Sequence, residues 1–489
     1  MNNSYKKKVI RILKSESIDL FNRKYDFNGA RRAVFNSLEL MDIMKKNGIK
    51  EIREISSGVS DKKTYPYYVS QLREDIRSEN YYRNYYGNKG DSESRQAIAY
   101  YESLKLNDKY SYSAENICLT EGSTGAISAV IEYVKREFPS SEAIITNPCY
   151  YLYKSACKYF GLIYNEINLF SKTKTPSFTS IDSIINAVTE KTKLIIINNP
   201  FNPSGELYTK NDVRKLLMEA KKRNLLVLCD ELFCDLVFNK SQFFPSDEIA
   251  SELACLENLI VIKGYSKNKN LVAFRFGYVF SKNQEVIDAV GRINQVRQSF
   301  PTASNFPGFL CLDSFVQSVL WISEKTGKSI SYIVKKERTK FPKCQSISSK
   351  TDTDLMIIVN GYQLYFDKIM KEYSDAYDLS VLMLKKESSF IMPKASAFNT
   401  FIKIPKLEGV NMFDFTLNLY ISTGVKVEIG PCFGFSQKDW ETNPNLGFWL
   451  RVTFAKDRET LRKGIAMFIE FTDEYLRNKN KMLVTNLSY

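Results

Sequence analysis

The chain has 489 residues, of which 44% are hydrophobic and 25% charged, a composition that is ordinary for a globular protein and excludes a disordered one. The 69 basic residues exceed the 55 acidic ones and give a formal charge of +14, but they are spread along the chain and form no nucleic-acid-binding motif. The sequence contains no histidine, which excludes Ser-His-Asp and Cys-His catalysis, histidine-ligated metals and any imidazole base.

The location of the protein is predicted from its cysteines and its apolar runs. The nine cysteines are scattered and form no Cys-x-x-Cys pair, so neither a disulfide framework nor a zinc ribbon is predicted. No apolar run approaches the roughly 18 residues that span a bilayer, and the N-terminus lacks the continuous apolar segment of a secretory signal. We expect a cytoplasmic protein with neither a membrane nor a nucleic acid as partner.

Between about residues 116 and 280, short apolar runs alternate with helical stretches, which is the pattern of a largely parallel sheet. The apolar runs lie at residues 117–119, 143–145, 194–197, 225–228 and 259–262. Helices are predicted at residues 125–136, 210–223 and 246–256. Each apolar run ends in polar or glycine-rich residues. Because ligands bind at the carboxyl ends of strands in open α/β sheets, these ends predict one common site.

The sequence after about residue 310 has a different pattern of residue types. Helical, polar and lysine-rich segments are followed by β-like runs at residues 398–404 and 424–429. This pattern predicts a second, smaller α+β domain. We therefore expect an N-terminal segment (1–60) that packs with the small domain, a large cofactor-binding domain (61–310) and a small C-terminal domain (311–489).

The first candidate motif is the turn TEGSTG, which follows the first apolar run and precedes a helix. Free backbone N–H groups at the positive end of a helix suit a phosphate, and the hydroxyls of Ser123 and Thr124 would add donors. The alternative is an ordinary strand-to-helix turn.

The second motif is NNPFNPSG at residues 198–205. Two Asn-Pro steps predict an extended, rigid loop, because proline fixes its own φ and restricts the residue before it. Such a loop can aim Asn202 at a ligand. The alternative is a rigid turn that caps the next helix.

Two further motifs carry an acid and an amine. Asp230 ends an apolar run, where a carboxylate either caps a helix or pairs with a protonated ring nitrogen, and its neighbour Glu231 should point the opposite way. Lys267 also follows an apolar run, with Arg275 eight residues later. A lysine beside an acid and a phosphate-binding turn is a candidate Schiff-base former. Together these groups meet the requirements of pyridoxal phosphate.

At this point the sequence resembles the fold-type I pyridoxal-phosphate enzymes of the class I/II aminotransferase family, from about residue 57 to 456. The motifs that carry the resemblance are Asn-Pro-x-Asn-Pro-Ser-Gly at 199–205, Asp-Glu-x-aromatic at 230–233, Ser-Lys with a later arginine at 266–275, Tyr85 with Gly90 and Arg95, and Arg-Val-Thr at 451–453. The resemblance implies an α/β fold with a three-layer, mostly parallel-sheet large domain and a smaller α+β C-terminal domain.

The resemblance also implies a function: a pyridoxal 5′-phosphate-dependent aminotransferase that moves an α-amino group from an amino acid to a 2-oxo acid through an imine on Lys267. Asp230 would keep the pyridine nitrogen protonated, and Asn202 would donate to the 3-oxygen of the ring. The other implied cofactor-binding residues are Ser123, Thr124, Tyr150 on the ring face, Phe233, Ser266, Arg275 and, from the neighbouring subunit of a homodimer, Tyr85. Arg451 would pair with the substrate α-carboxylate, next to Gly58 and Asn202.

The sequence departs from the family pattern in four places, one of which is Val272-Ala273 where Pro-Gly often precedes the arginine. Phe233 stands where tyrosine is usual, and Gly264 replaces a common serine. The 184 positions from Lys267 to Arg451 indicate an insertion around residues 320–390, which is either a surface elaboration or a substrate lid. A lyase, decarboxylase or oxidase on the same fold remains the alternative function. A ligand-responsive regulator is a second alternative, although no helix-turn-helix precedes Gly58.

Overall fold

The chain folds into helices packed around one large and one small β-sheet. The computed structural model describes residues 4, 7–12, 35–79, 83, 85–170, 177–297, 301–434 and 446–478. The strands are β1 Arg53–Glu54, β2 Ile117–Glu121, β3 Glu142–Asn147, β4 Ile163–Asn168, β5 Thr192–Asn198, β6 Leu226–Asp230, β7 Leu259–Gly264, β8 Phe276–Phe280, β9 Phe390–Ile391, β10 Asn399–Lys403, β11 Val425–Lys426, β12 Glu428–Ile429 and β13 Trp449–Thr453.

Fifteen α-helices surround the strands in the described part of the chain. They are α1 Leu38–Lys46, α2 Pro66–Arg77, α3 Ser92–Ser103, α4 Gly122–Glu137, α5 Leu152–Phe160, α6 Ile181–Asn186, α7 Lys210–Arg223, α8 Ser246–Glu252, α9 Gln284–Val296, α10 Pro307–Thr326, α11 Ile330–Glu337, α12 Gln345–Ser348, α13 Asp352–Leu384, α14 Met412–Thr423 and α15 Arg458–Asn478. Among these described helices, none combines the length and the apolar character needed to cross a bilayer.

The large sheet has seven strands in the order β2-β8-β7-β6-β5-β3-β4. Only β8 runs antiparallel to its two neighbours, and the other pairs are parallel. Both faces are covered: Leu226 and Leu228 pack with α4, α5 and α9 on one face, whereas Val227 and Cys229 belong to the core on the other. This burial on both faces explains why the strands read as continuous apolar runs. The predicted fold class is confirmed.

Several predicted boundaries shift in the structure. The helix predicted over 210–223 is confirmed, but α4 begins at Gly122 rather than at residue 125, because the glycine-rich turn forms the first turn of the helix. Helix α8 ends at Glu252 rather than at 256, and Ala254 shortly after it has a left-handed φ of 50°. The antiparallel strand β8 was not predicted, because its residues follow Lys267 without a turn signal that marks a strand.

The small sheet has four antiparallel strands in the order β12-β13-β10-β9. The β-like run at 398–404 corresponds to β10, and the run at 424–429 corresponds to the short strands β11 and β12. Strand β1 pairs in parallel with β11, with Arg53 opposite Val425. The segment before the large sheet is therefore tied to the C-terminal part of the chain.

The 33-residue helix α13 lies within the predicted insertion and contacts two loops near the carboxyl ends of the large sheet. The hydroxyl of Tyr373 lies 2.9 Å from that of Ser60. The amine of Lys269 donates to the hydroxyl of Tyr362 over 2.7 Å. Helix α13 thus holds the loop that follows residue 58 and the loop that follows residue 267.

Candidate active site

A cleft of about 290 Å³ lies at the carboxyl ends of β5 and β6, between the large sheet and strands β12 and β13. Its lining includes seven of the predicted site residues: Gly58, Tyr150, Asn202, Asp230, Phe233, Lys267 and Arg451. These residues come from separate segments of the chain. The structure therefore gathers most of the sequence-derived candidates around one space.

Lys267 places a buried amine in this cleft. Its Nζ donates to the carbonyl oxygen of Gly58 and lies 5.8 Å from the centroid of the Phe398 ring. Burial lowers the pKa of Lys267 to about 8, and the positive charges of Arg451 and Arg275 act in the same direction. The side chain is therefore neutral, and nucleophilic, at a lower pH than an exposed lysine.

Asp230 ends β6 and is only 3% exposed. Its Oδ2 accepts a hydrogen bond from the hydroxyl of Tyr153 at 2.8 Å, and its Oδ1 accepts one from the backbone N–H of Leu232 at 3.1 Å. Burial raises the pKa of Asp230 to about 6, while these hydrogen bonds and the charge of Lys267 act to lower it. A buried carboxylate of this kind gains from a cationic partner.

Glu231 points away from this carboxylate, as the strand alternation predicts. Its Oε1 accepts hydrogen bonds from the backbone N–H of Ser246 at 2.9 Å and from the Ser246 hydroxyl at 2.6 Å. Its Oε2 lies 3.6 Å from the amine of Lys263. Of the two adjacent acids, Asp230 alone lines the cleft.

The Asn-Pro loop after β5 is held against β6. The Oδ1 of Asn198 accepts from the backbone N–H of Asn202, and its Nδ2 donates to the carbonyl of Asp230, each over 2.7 Å. The prediction of an extended loop is wrong: residues 202–204 form a turn, closed by a 2.6 Å hydrogen bond from the N–H of Gly205 to the carbonyl of Phe201. Gly205 has a φ of +79°, which glycine adopts without steric cost.

The N-terminus of α4 and Arg275 form a cradle that suits an anion. Nη2 of Arg275 donates to the hydroxyl of Thr124 over 3.2 Å. A Cβ on Gly122, whose φ is +64°, would lie 2.9 Å from that Nη2, so the glycine keeps room for the guanidinium. Ser123 and Ser266 are both buried. Backbone N–H groups, hydroxyls and a guanidinium together are typical of a phosphate site.

Aromatic side chains form the walls of the cleft. The ring centroid of Tyr150 lies 4.9 Å from that of Tyr151 and 5.7 Å from that of Tyr153, both at steep angles. Burial raises the pKa of Tyr150 above its usual value. Phe233 is buried with its ring centroid 5.1 Å from that of Phe398. These contacts fix the ring orientations before any ligand binds.

Arg451 on β13 is 4% exposed and is held from several sides. Its Nη1 donates to Oδ1 of Asn202 over 2.8 Å, and its Nε and Nη2 donate to the carbonyl of Ser56 over 3.1 and 2.6 Å. Nη2 also forms an ion pair with Glu428, and Cζ lies 4.8 Å from the centroid of the Phe433 ring. A planar guanidinium fixed at a cleft wall suits a carboxylate ligand.

Five predicted site residues do not line the cleft: Tyr85, and Ser123, Thr124, Ser266 and Arg275 of the anion cradle. Tyr85 is 92% exposed and lies outside the cleft lining of this chain. Tyr153 and Glu428 contact the key residues but were not predicted as site residues. Tyr153 lies in the first turn of α5, three residues after Tyr150, and this short separation from a predicted residue is the signal that would place it near the site. Glu428 is the one acid in the β-like run VKVEIG, and it alternates there with Lys426 between apolar residues; the sequence gives no stronger signal for it.

Comparison with protein families identifies one family model, described as aminotransferase class I and II, which matches residues 54–305. This range covers 252 of the 489 residues, from β1 to the end of the turn before α10. It includes most of the cleft residues but not Glu428 or Arg451.

Individual proteins are similar over most of their length. An aspartate aminotransferase of Sulfolobus acidocaldarius is 23% identical over 391 residues, covering 80% of this chain and 82% of that protein. A probable N-acetyl-LL-diaminopimelate aminotransferase of Bacillus subtilis is 24% identical, covering 82% and 84%. The solved structure of N-succinyldiaminopimelate aminotransferase from Mycobacterium tuberculosis shares the fold with a TM-score of 0.65 and 19% identity, over 92% of this chain and 98% of that one.

Proposed function

The chain belongs to the class I and II aminotransferases, and from this premise we propose that it holds pyridoxal 5′-phosphate on Lys267 and moves an α-amino group from an amino acid to a 2-oxo acid. The family is generally dependent on this cofactor. The observation that carries the proposal is that a buried amine and a buried carboxylate line one cleft, and that Thr124 of the anion cradle hydrogen-bonds Tyr150 in the wall of that cleft. When bound, the cofactor supplies an electron sink for the bonds at the substrate Cα.

The residues present fit the cofactor at both of its ends. The cradle of Arg275, Thr124 and the α4 N-terminus, with Ser123 and Ser266 beside it, would take the phosphate. Asp230 would hold the ring nitrogen in its protonated form, because a cation next to this carboxylate removes the cost of its burial.

The remaining residues would set the position of the ring. Tyr150 would pack against one face of the ring, and Asn202 would donate to its 3-oxygen, although its Oδ1 is already bonded to Arg451. Phe233 takes the place of a tyrosine and offers no hydrogen bond to that oxygen. We therefore expect Asn202 to be the principal donor there.

Lys267 would first hold the cofactor and, once the substrate amine has taken its place, would act as the proton-transfer group. The pKa of about 8 means that a substantial fraction of the free amine is neutral at pH 7 to 8. The neutral amine can take the proton from the substrate Cα and return it to the cofactor carbon that is bonded to the same nitrogen. Arg451 would orient the substrate through its α-carboxylate, and the absence of a side chain at Gly58 leaves space beside that carboxylate: a Cβ there would lie 3.6 Å from Nη2 of Arg451.

We propose a homodimer in which Tyr85 reaches the cofactor phosphate of the partner subunit. Its 92% exposure in the single chain supports this role. The expected result is complementation: Tyr85→Phe and Lys267→Ala chains are each impaired, whereas a mixture that exchanges subunits regains about a quarter of the wild-type activity, because half the dimers carry one intact site. Activity should be measured before and after exchange. If the mixture stays at the level of the separate variants, the sites are not shared between subunits.

We also propose the domain division at residues 60 and 310 and a cytoplasmic location. The pairing of β1 with β11 supports the assignment of residues 1–60 to the small domain, although part of that segment lies outside the described residues. The nine cysteines, all within the described residues, are not joined in disulfides, which is typical of a reducing compartment.

The reaction type is tested by incubating the purified protein and cofactor with a panel of amino acids, with and without a 2-oxo acid. We expect the amino group on the acceptor, detected by mass spectrometry. Loss of CO₂, elimination products or hydrogen peroxide without transfer would instead identify a decarboxylase, lyase or oxidase. Binding of an amino acid with no product at all would favour a regulator.

Replacing Tyr153 by phenylalanine is expected to move the acid limb of the pH–activity profile upward by roughly one pH unit. The tyrosine hydroxyl stabilises ionised Asp230, so its loss raises the pKa of that carboxyl, which is already about 6 in the chain without the cofactor. The profile of kcat/KM should be recorded between pH 5 and 9. The matched control is Tyr133→Phe, a buried tyrosine of α4 that does not contact Asp230. An unmoved acid limb would show that Asp230 does not control it.

A further inference from the structure

The guanidinium of Arg451 has few free donors for a substrate. Among the described residues, the carbonyl of Ser56 takes the Nε hydrogen and one Nη2 hydrogen, Asn202 takes one Nη1 hydrogen, and Glu428 takes the second Nη2 hydrogen. These contacts engage four of the five N–H groups that an arginine carries. Bidentate binding of a carboxylate across Nη1 and Nη2 requires the hydrogen that Glu428 now accepts.

Glu428 lies between two spaces. It lines the cleft together with Lys267 and Arg451, and it also lines a second cavity of about 360 Å³. The second cavity contains Lys426, two residues before Glu428 on the same edge of the chain. The carboxylate therefore has a place to turn into, where it would share Lys426 with Glu54, whose Oε1 lies 3.7 Å from the lysine amine.

The charge in the cleft is balanced without a second carboxylate. Among the described residues that line it, Lys267 and Arg451 are the cations, and Asp230 and Glu428 are the anions. Arg297, at the end of α9, forms an ion pair with Glu132 and lies outside the lining. Within the described lining of this chain, a distal carboxylate of a substrate would find no cation besides Lys267 and Arg451, and it would share the cleft with Glu428.

We propose that Glu428 is a specificity-determining residue: it competes with the substrate α-carboxylate for Arg451 and, once displaced, selects amino acids with one carboxylate over dicarboxylic ones. When the substrate α-carboxylate takes the place of Glu428 at Arg451, one anion is exchanged for another and the net charge next to the guanidinium does not change. A second carboxylate adds a negative charge to a cleft that Glu428 also lines, and like charges repel strongly where water is partly excluded. The inference rests on the proposed role of Arg451 as the carboxylate-binding residue.

The test uses a matched pair of unreactive ligands, butanoate and succinate, which share a four-carbon chain and differ by one carboxylate. Dissociation constants should be measured by calorimetry on the cofactor-loaded protein. We expect the wild type to bind butanoate more tightly than succinate. Glu428→Gln should tighten butanoate about threefold and succinate about tenfold or more. The same change should raise kcat/KM for aspartate relative to 2-aminobutanoate.

Three controls separate the causes of any change. Glu408→Gln removes an acid that pairs with Lys403 over 3.0 Å outside the cleft, and it should leave both dissociation constants unchanged. Glu428→Ala, compared with Glu428→Gln, guards against a folding defect of either variant, and both should retain the wild-type melting temperature within a few degrees. Arg451→Met should abolish the binding of both ligands.

The outcomes distinguish this inference from the function on which it rests. If Arg451→Met abolishes binding but the Glu428 variants bind both ligands no more tightly than the wild type, Glu428 is not a competitor and the inference is overturned. If the Glu428 variants bind both ligands less tightly, Glu428 positions Arg451 instead, and the inference is equally overturned. If Arg451→Met binds as the wild type does, the role of Arg451 fails and the inference fails with it.

Discussion

Lys267→Ala is expected to lower kcat by at least about a thousandfold, because one side chain both holds the cofactor and moves the proton at the substrate Cα. No other amine lines the described part of the cleft. The matched variant is Lys267→Arg, which keeps the positive charge but does not lose its proton at physiological pH. It should be as inactive as the alanine variant. Single-turnover measurements with saturating cofactor separate the loss of chemistry from a loss of binding.

The covalent part of this prediction has its own measurement. Borohydride reduction of the cofactor-loaded wild type should fix the cofactor on the peptide that contains Lys267, and the yield should rise as the pH approaches about 8, where the amine loses its proton. An exposed lysine would require a pH near about 10.4. Modification of a different peptide, or an alanine variant within tenfold of the wild-type kcat, would contradict the assignment of Lys267.

Asp230→Asn is expected to lower kcat by about a hundredfold or more and, at the same time, to stabilise the cofactor-free protein at neutral pH. An amide cannot keep a ring nitrogen protonated, which accounts for the loss of activity. The gain in stability follows from the raised pKa of Asp230, which is about 6 in the folded chain against an ordinary value of 3.8 for an aspartate in water. Above pH 6 the folded protein pays for an ionised, buried carboxylate that the asparagine variant does not contain.

The sign of this effect fixes its pH dependence. The folded state binds the proton of Asp230 more tightly than the unfolded state, so the stability is greatest below pH about 4 and falls as the pH rises through about 6. We therefore expect Asp230→Asn to raise the free energy of unfolding by about 2–3 kcal/mol at pH 7.5 and to change it little at pH 4. Urea denaturation at the two pH values measures the difference. Equal effects at both values would show that the carboxylate is not strained by burial.

The strand ends were predictable from the sequence because continuous apolar runs mark strands that are buried on both faces, and the polar residue after each run must lie at the same edge. Asp230 and Lys267 follow directly from that rule. The motifs then added Asn202, Arg275 and Arg451 through a family resemblance.

The residues that escaped prediction depend on contacts between distant segments. Tyr153 is one of 30 tyrosines, and only the fold shows that its hydroxyl reaches Asp230. Glu428 acquires its meaning from Arg451 on the adjacent strand β13, opposite it in the register. The turn at residues 202–204 escapes prediction because the side chain of Asn198 accepts a hydrogen bond from the N–H of Asn202, a contact that the two Asn-Pro steps do not indicate.

The attachment of helix α13 to two loops of the cleft has a mechanical consequence. Tyr373 links it to Ser60 and Tyr362 links it to Lys269, so one rigid rod is attached to both the loop beside Gly58 and the loop beside Lys267. A tilt of this rod would carry the nucleophile and the opposite rim of the cleft in the same direction. The opening of the cleft and the alignment of the Lys267 amine would then depend on the same movement of α13, a helix that lies about 100 residues after Lys267 in the chain.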